Sequence, residues 1–325
     1  MKRLIAVMLA LLLAAGCVQA PVSTGGDKKI SVVCTVFPQY DWVRQIVGNK
    51  ANDMEITFLL DDRLDLHSYL PTVEDLVKIS TCDLFIYVGG ESDEWAEDAL
   101  RDADNKDMLV ISLLDELGDA AKEEEVKEGM EEEEEEEEDE DDDEEEGPEY
   151  DEHVWLSLKN AKIFCAVITD ALSSLAPGNA KEYQSNLAAY TEKLSALDAE
   201  YQAAADAADV KTLVFGDRFP FRYLTDDYGL DYYAAFVGCS AETEASFETI
   251  VFLAKKVDEL GLNTVMSIES SDGSIAETIV KTTADKNGQI LVLDSMQSVT
   301  ASEAKSATYL SIMESNLDVL KEALK

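Results

Sequence analysis

At 325 residues the chain is long enough for two ordinary domains with real cores, and its 46% apolar content is that of a protein that folds. A formal net charge of −43 repels phosphate backbones and anionic lipid headgroups and attracts cations. Nucleic-acid binding is excluded, because no basic patch is present to neutralise phosphates.

Lys2-Arg3 precede an apolar run, Leu4 to Ala15, that is too short to span a membrane. A charged start, an apolar stretch and small residues before a cleavage point describe an export signal. Leu13-Ala14-Ala15-Gly16-Cys17 resembles a bacterial lipobox, which implies cleavage before Cys17 and a lipid on that residue. The protein is therefore expected to be exported and lipid-anchored to the outer face of the bacterial cell membrane. Four cysteines follow: Cys34, Cys82, Cys165 and Cys239. An even number in an exported chain permits disulfides. Each, however, lies in or beside an apolar stretch and none forms a C-x-x-C pair, so buried free thiols are expected.

Strand and helix then alternate. Ile30 to Phe37, Met54 to Leu60, Leu84 to Val88 and Met108 to Leu114 read as strands; Asp41 to Val47 and Glu94 to Ala103 read as helices. Thr72-Val73-Glu74-Asp75 has the pattern of a helix start. From Ala120 to Asp151 the alternation stops, and sixteen consecutive carboxylates occupy 131–146. A block of like charge repels itself and buries too little to order, so 120–150 is expected to be a disordered acidic loop, at most a weak collector of divalent cations. Ala161 to Leu175 is helical by spacing. Tyr183, Leu187, Tyr190, Leu194, Leu197 and Tyr201 mark one face of a helix over Ala180 to Ala208, about 43 Å long at about 1.5 Å per residue.

In the second half, strands are expected at Thr212 to Gly216, Tyr232 to Val237, Val265 to Ile268 and Ile290 to Leu293. Helices are expected at Phe219 to Asp227, Ser246 to Leu260, Ser274 to Ala284 and Ser302 to Leu324. Both halves thus repeat one α/β plan with parallel sheets.

In open α/β sheets, ligands sit beyond the carboxyl ends of strands. His67 follows the second strand, Asp217 the Leu213-Val214-Phe215 run, Glu269 the Met266-Ser267-Ile268 run, and Asp294 the Leu291-Val292-Leu293 run. His153, the other of the two histidines, closes the acidic segment. A nitrogen and oxygen set without thiolate suits Zn(II) or Mn(II) and does not sharply separate them.

Several stretches are more specific. Phe37-Pro38, Asp65-Leu66-His67-Ser68-Tyr69-Leu70-Pro71-Thr72, Asp151-Glu152-His153-Val154-Trp155-Leu156, Tyr228-Gly229-Leu230, Ile268-Glu269 and Leu293-Asp294-Ser295 resemble the metal-binding lipoproteins of bacterial zinc/manganese ABC importers. These are the cluster A-I solute-binding proteins, and the likeness covers nearly the whole mature chain. It implies two Rossmann-like lobes joined by one long rigid helix, with one Zn(II) or Mn(II) in the cleft between them. The implied holders are His67, His153, a third histidine or glutamate, and Asp294. Zinc-binding members often carry a mobile histidine-rich loop where this chain has its acidic run. The implied division is a signal peptide at 1–16, a tether at 17–28, a first lobe at 29–178, a connecting helix at 179–208 and a second lobe at 209–325. The implied partners are an ABC permease, the membrane through the N-terminal lipid, and divalent cations.

The third position departs from the family pattern. Counting back from Tyr228-Gly229-Leu230, it falls on Arg218, and a guanidinium donates only. Asp217, one place earlier, supplies the oxygen, with Arg218 beside the site; or the site is three-coordinate with water or Glu269 completing it; or Arg218 pairs with Asp294 and cation binding is lost or altered. A hydrolase would need an open metal position and a general base. No nucleophile elbow, phosphate-binding glycine loop or H-E-x-x-H pattern supports one, so no enzyme is expected. The alternative function is an acidic cation-buffering or adhesive surface lipoprotein, with the carboxylate run as its active part and no tight transition-metal site.

Overall fold

The computed structural model describes residues 29–62, 65–131, 149–240 and 244–325. The export signal, Cys17, the tether and the body of the acidic run at 132–148 lie outside the described residues.

The first half runs β1 (Ile30–Cys34), α1 (Phe37–Val47), β2 (Met54–Phe58), α2 (Val73–Thr81), β3 (Leu84–Tyr87), α3 (Trp95–Arg101), β4 (Leu109–Ser112) and α4 (Leu113–Leu117). Two long helices follow, α5 (Leu158–Leu175) and α6 (Ala180–Ala207). The second half runs β5 (Thr212–Phe219), α7 (Arg222–Tyr228), β6 (Asp231–Val237), α8 (Phe247–Leu260), β7 (Thr264–Ile268), α9 (Ser274–Thr282), β8 (Gln289–Leu293) and α10 (Tyr309–Ala323). The strands form two parallel four-stranded sheets, β2-β1-β3-β4 and β6-β5-β7-β8. Each half therefore places its first two strands in reversed order, and the strand order switches beside its first strand. At such a switch the following loops diverge and leave a crevice.

Local chemistry explains the boundaries. Pro38 sits in the first turn of α1, where its missing N–H costs nothing, so the helix begins at Phe37 and β1 ends at Cys34 rather than Phe37. Thr72 caps α2 reciprocally with Asp75: each side chain accepts from the other residue's backbone N–H. Ser112 accepts from the Asp115 amide and turns the end of β4 directly into α4. Phe219, expected in a helix, closes β5 after a bulge between Phe215 and Arg218. The last helix starts at Tyr309 rather than Ser302, capped by Thr308.

The expected disorder of 120–150 is corrected at both of its ends. Glu123 bridges Tyr150, Glu124 donates to the Glu149 carbonyl, and Asp151 to that of Lys122. Residues 121–131 then lie against the second half. Lys127 pairs with Asp231, Glu125 with Arg222, and the Glu131 amide donates to the Ala235 carbonyl of β6. Met130 is buried there. The polyanionic composition misled because the ordered ends carry Lys122, Lys127 and Met130, which supply counter-charge and apolar surface.

One apolar core runs through both halves, with a smaller cluster between the second sheet and α8 and α9. The predicted face of α6 joins it: Tyr183, Tyr190, Leu194, Leu197 and Tyr201 are buried, and Leu187 packs alongside. Direct ties cross between the halves. The Tyr309 amide donates to Asp41 at 2.9 Å, Tyr309 Oη to the Trp155 carbonyl at 2.7 Å, and Trp155 Nε1 to the Ser295 carbonyl at 2.9 Å. Among the described cysteines, Cys34, Cys165 and Cys239 are free thiols; Cys34, Cys82 and Cys165 are buried and Cys239 partly so. Among the described residues no helix is long and apolar enough to cross a membrane.

Candidate metal centre

His67 stands on a single helical turn after β2, Leu66–Ser68, capped by Asp65, whose Oδ1 accepts from the His67 amide at 3.1 Å. His153 stands where the chain returns from the acidic segment, and Asp151 Oδ1 accepts from its amide at 2.9 Å in the same way. The two rings meet. Their Nε2 atoms are 3.2 Å apart. Two nitrogens bound to one tetrahedral zinc at about 2.0–2.1 Å would stand about 3.3 Å apart.

The other ring nitrogens are occupied. His153 Nδ1 lies 3.1 Å from Asp151 Oδ1, and His67 Nδ1 lies 2.8 Å from Ser92 Oγ and 3.4 Å from Glu152 Oε2. With Nδ1–H donating to Asp151 Oδ1 in one ring and to Ser92 Oγ in the other, both Nε2 lone pairs face one another. That is an unfavourable arrangement unless a proton or a cation stands between them. A carboxylate behind an imidazole also fixes the tautomer of a metal-binding histidine and raises its basicity. Burial opposes protonation of His153, but Asp151, Glu152 and Asp65 outweigh it and hold its pKa above the ordinary value.

The surroundings are built to this end. Glu152 Oε1 accepts from the Ser92 amide at 2.8 Å, so one residue positions the serine behind His67. Gly90, at φ +84, lies where a Cβ would stand 2.5 Å from that same oxygen. A Cβ at Gly238 would stand 3.0 Å from His153 Cε1, so the residue just after β6 is the type that lets the ring approach. The next residue is Cys239. Its Sγ and the two imidazoles offer three ligand atoms within 4.8 Å of one another, the one such group among the described residues. Its amide donates to Glu124 Oε1 at 2.9 Å. Burial first, then Asp151, Glu124 and Glu152, push its thiol well above the ordinary range.

The predicted carboxylates are placed otherwise. Asp217 is engaged with β7: its Oδ2 accepts from Ser267 Oγ at 2.8 Å and its Oδ1 from the Arg218 amide. It is thus spent on tying β5 to β7, and is not in the group with the histidines. Glu269 is spent likewise on the Ser295 amide and hydroxyl, both at 2.8 Å. Asp294 Oδ1 accepts from the Met296 amide. Burial first and then the charge of Glu269 raise the Asp294 carboxyl to about 6. Arg218 does not pair with Asp294. It donates to Asp65 Oδ2 at 2.6 Å and to the Ser240 carbonyl at 3.1 Å, bridging the turn of His67 to the turn of Cys239.

A family profile described as the periplasmic component A of the zinc-uptake complex matches residues 32–323. The chain belongs to that zinc-uptake family. Among its relatives is the zinc-binding lipoprotein AdcA of Streptococcus pneumoniae serotype 4, 31% identical over 98% of this chain and 60% of that protein. Another is the high-affinity zinc uptake system protein ZnuA of Bacillus subtilis, 29% identical over 96% of this chain and 94% of that protein. The crystal structure of the Zn(II)-bound ZnuA-like domain of Streptococcus pneumoniae AdcA superposes with a TM-score of 0.69 at 27% identity, covering 91% of this chain and 99% of that one. The chain spans 56–60% of the length of the streptococcal relatives. The architecture implied by the resemblance, two parallel sheets and a long helix, is that of this family.

Cys239 lies outside the nitrogen and oxygen set that the sequence suggests, although Gly238-Cys239 stands just beyond the carboxyl end of β6, where open α/β sheets place their ligands.

Proposed function

We propose that the protein captures Zn(II) outside the cytoplasm and delivers it to an ABC importer, with His67 and His153 at the heart of the site. The observation that carries this reading is the 3.2 Å approach of the two Nε2 atoms, each ring backed at Nδ1 by an oxygen. Membership of a zinc-uptake family supports the metal and the importer. Asp294 assists: it lies beside Ser295, whose carbonyl holds the Trp155 indole that packs against the His153 ring. The mutual repulsion of Asp294 and Glu269 is relieved by a divalent cation nearby. Mn(II) is the competing cargo. The protein is held at the cell surface by a lipid on Cys17, and a permease receives the metal; no step of the function calls for catalysis.

In a chelator-competition titration, His67→Ala and His153→Ala each weaken Zn(II) binding by more than the roughly 10–100-fold that loss of an outer partner costs. Wild-type affinity in both variants would move the site elsewhere. Cys17→Ala is expected to leave binding intact and release the protein from the membrane fraction.

A further inference from the structure

The resemblance implies a third ligand at the position that here holds Arg218, and the acid expected to replace it, Asp217, is bound to β7. The ligand set is short of a donor, yet the fold supplies one from the next strand. Cys239 follows the end of β6, and its sulfur falls within 4.8 Å of one nitrogen of each imidazole. We infer that Cys239 is the third metal ligand, binding as thiolate, and that it makes the site select Zn(II) against Mn(II). This rests on the reading of the site as a place of zinc capture and names what decides its cargo.

Three observations carry the assignment. The first is distance. A tetrahedral zinc with Zn–S about 2.3 Å and Zn–N about 2.0–2.1 Å sets sulfur and nitrogen about 3.6 Å apart, so the sulfur has at most about an ångström to travel. The second is that the backbone around Cys239 is fixed on two sides. Its amide donates to Glu124 Oε1, and the carbonyl of Ser240 accepts from Arg218. The third is Arg218 itself. Its guanidinium is anchored on Asp65 and the Ser240 carbonyl, so the residue that took the ligand position also clamps the turn that brings the new donor. The other described thiols are buried within β1, beside Met108 and within α5, and none belongs to the group with the histidines.

The donor set then decides the metal. Thiolate is a soft ligand that favours zinc, whereas Mn(II) prefers carboxylate, carbonyl and water oxygens. Exchanging a histidine or glutamate for a cysteine narrows a site that could take either ion.

Co(II) is the probe. Metal-free full-length mature protein titrated with Co(II) is expected to develop a sulfur-to-cobalt charge-transfer band in the near ultraviolet, together with the visible ligand-field bands of a tetrahedral ion. Zn(II) should bleach both. In Cys239→Ser the charge-transfer band should vanish, and the preference for Zn(II) over Mn(II) should fall by more than about tenfold, the lower bound for an outer partner. Cys239→Asp is expected to keep a tight site while shifting preference towards Mn(II). A measurement on the unaltered protein guards against misfolded variants: Zn(II) should protect Cys239 from iodoacetamide, mapped by mass spectrometry. Ligand-field bands without the sulfur band, with Cys239 alkylated equally in the presence of Zn(II), would overturn the thiolate assignment and leave zinc capture standing. Absence of any Co(II) or Zn(II) binding would overturn both.

Discussion

Single residues set how rigidly the two imidazoles are presented, and Asp93 is the least conspicuous of them. It is buried, and its Oδ2 accepts from the Val88 and Gly89 amides at 2.7 and 3.2 Å. Those bonds shape the turn after β3, which delivers Ser92 to His67. Burial first, and then the charge of Glu152, raise the Asp93 carboxyl to about 7, although the two amides pull the other way. Between about pH 4 and pH 7 the folded protein therefore keeps a proton that the unfolded chain has released. This contribution makes the fold less stable as pH rises through that window, by about 1.4 kcal/mol per unit of displacement at most. Asp93→Asn keeps an oxygen for the two amides and cannot ionise. Thermal unfolding of metal-free protein is expected to show the wild type losing stability from pH 5 to pH 8 relative to the variant. Parallel pH profiles would mean that Asp93 ionises like any surface carboxyl.

At the scale of elements, the segment at 121–131 reaches the turn of Cys239. It crosses from the end of the first sheet to β6, the edge strand of the second, and donates one backbone bond to that edge at Ala235. An exposed strand edge invites pairing with other chains, and a covering segment blunts it. On the way it sets Glu124 beneath the Cys239 amide. Glu124→Ala removes that acceptor and frees the turn, whereas Glu124→Gln retains an oxygen. The expected outcome is weaker Zn(II) binding in the alanine variant, by about the 10–100-fold typical of an outer-shell loss, with glutamine near wild type. Equal affinity in all three proteins would detach the segment from the site. The strands, the capped start of α2 and the buried face of α6 were legible because period, capping chemistry and apolar runs are local signals. The strap was not, since its order depends on Asp231, Arg222 and Ala235, about a hundred residues further on. The same limit hid the hydrogen bonds of Asp217 and Glu269, because a carboxylate at a strand end reads alike in sequence whatever it meets across the fold, here Ser267 and Ser295.

At the scale of the whole molecule, two repeats of one architecture are tied together at several separate places. Trp155, Tyr309 and Asp41 join them through buried backbone and side-chain bonds away from the site, and α6 packs into the shared core. At the site itself the tie is ionic: Arg218 of β5 on Asp65 of the His67 turn. Both side chains keep some exposure, 15% and 20%, so the pair is worth less than a fully desolvated one and more than a surface contact. Because Arg218 also holds the Ser240 carbonyl, opening this pair loosens the turns of His67 and Cys239 together, as the proposed release of zinc would require. Either single alanine substitution has side effects, since Asp65 caps the His67 amide as well. A double-mutant cycle removes them. With Arg218→Ala, Asp65→Ala and the double variant, zinc dissociation measured by stopped-flow chelator capture is expected to accelerate in each single variant and hardly further in the double. That corresponds to a coupling of about 1 kcal/mol, within the roughly 0.5–3 kcal/mol found for interacting neighbours. Additive effects would show that the two residues act separately and that the halves are held at the cleft by the metal alone.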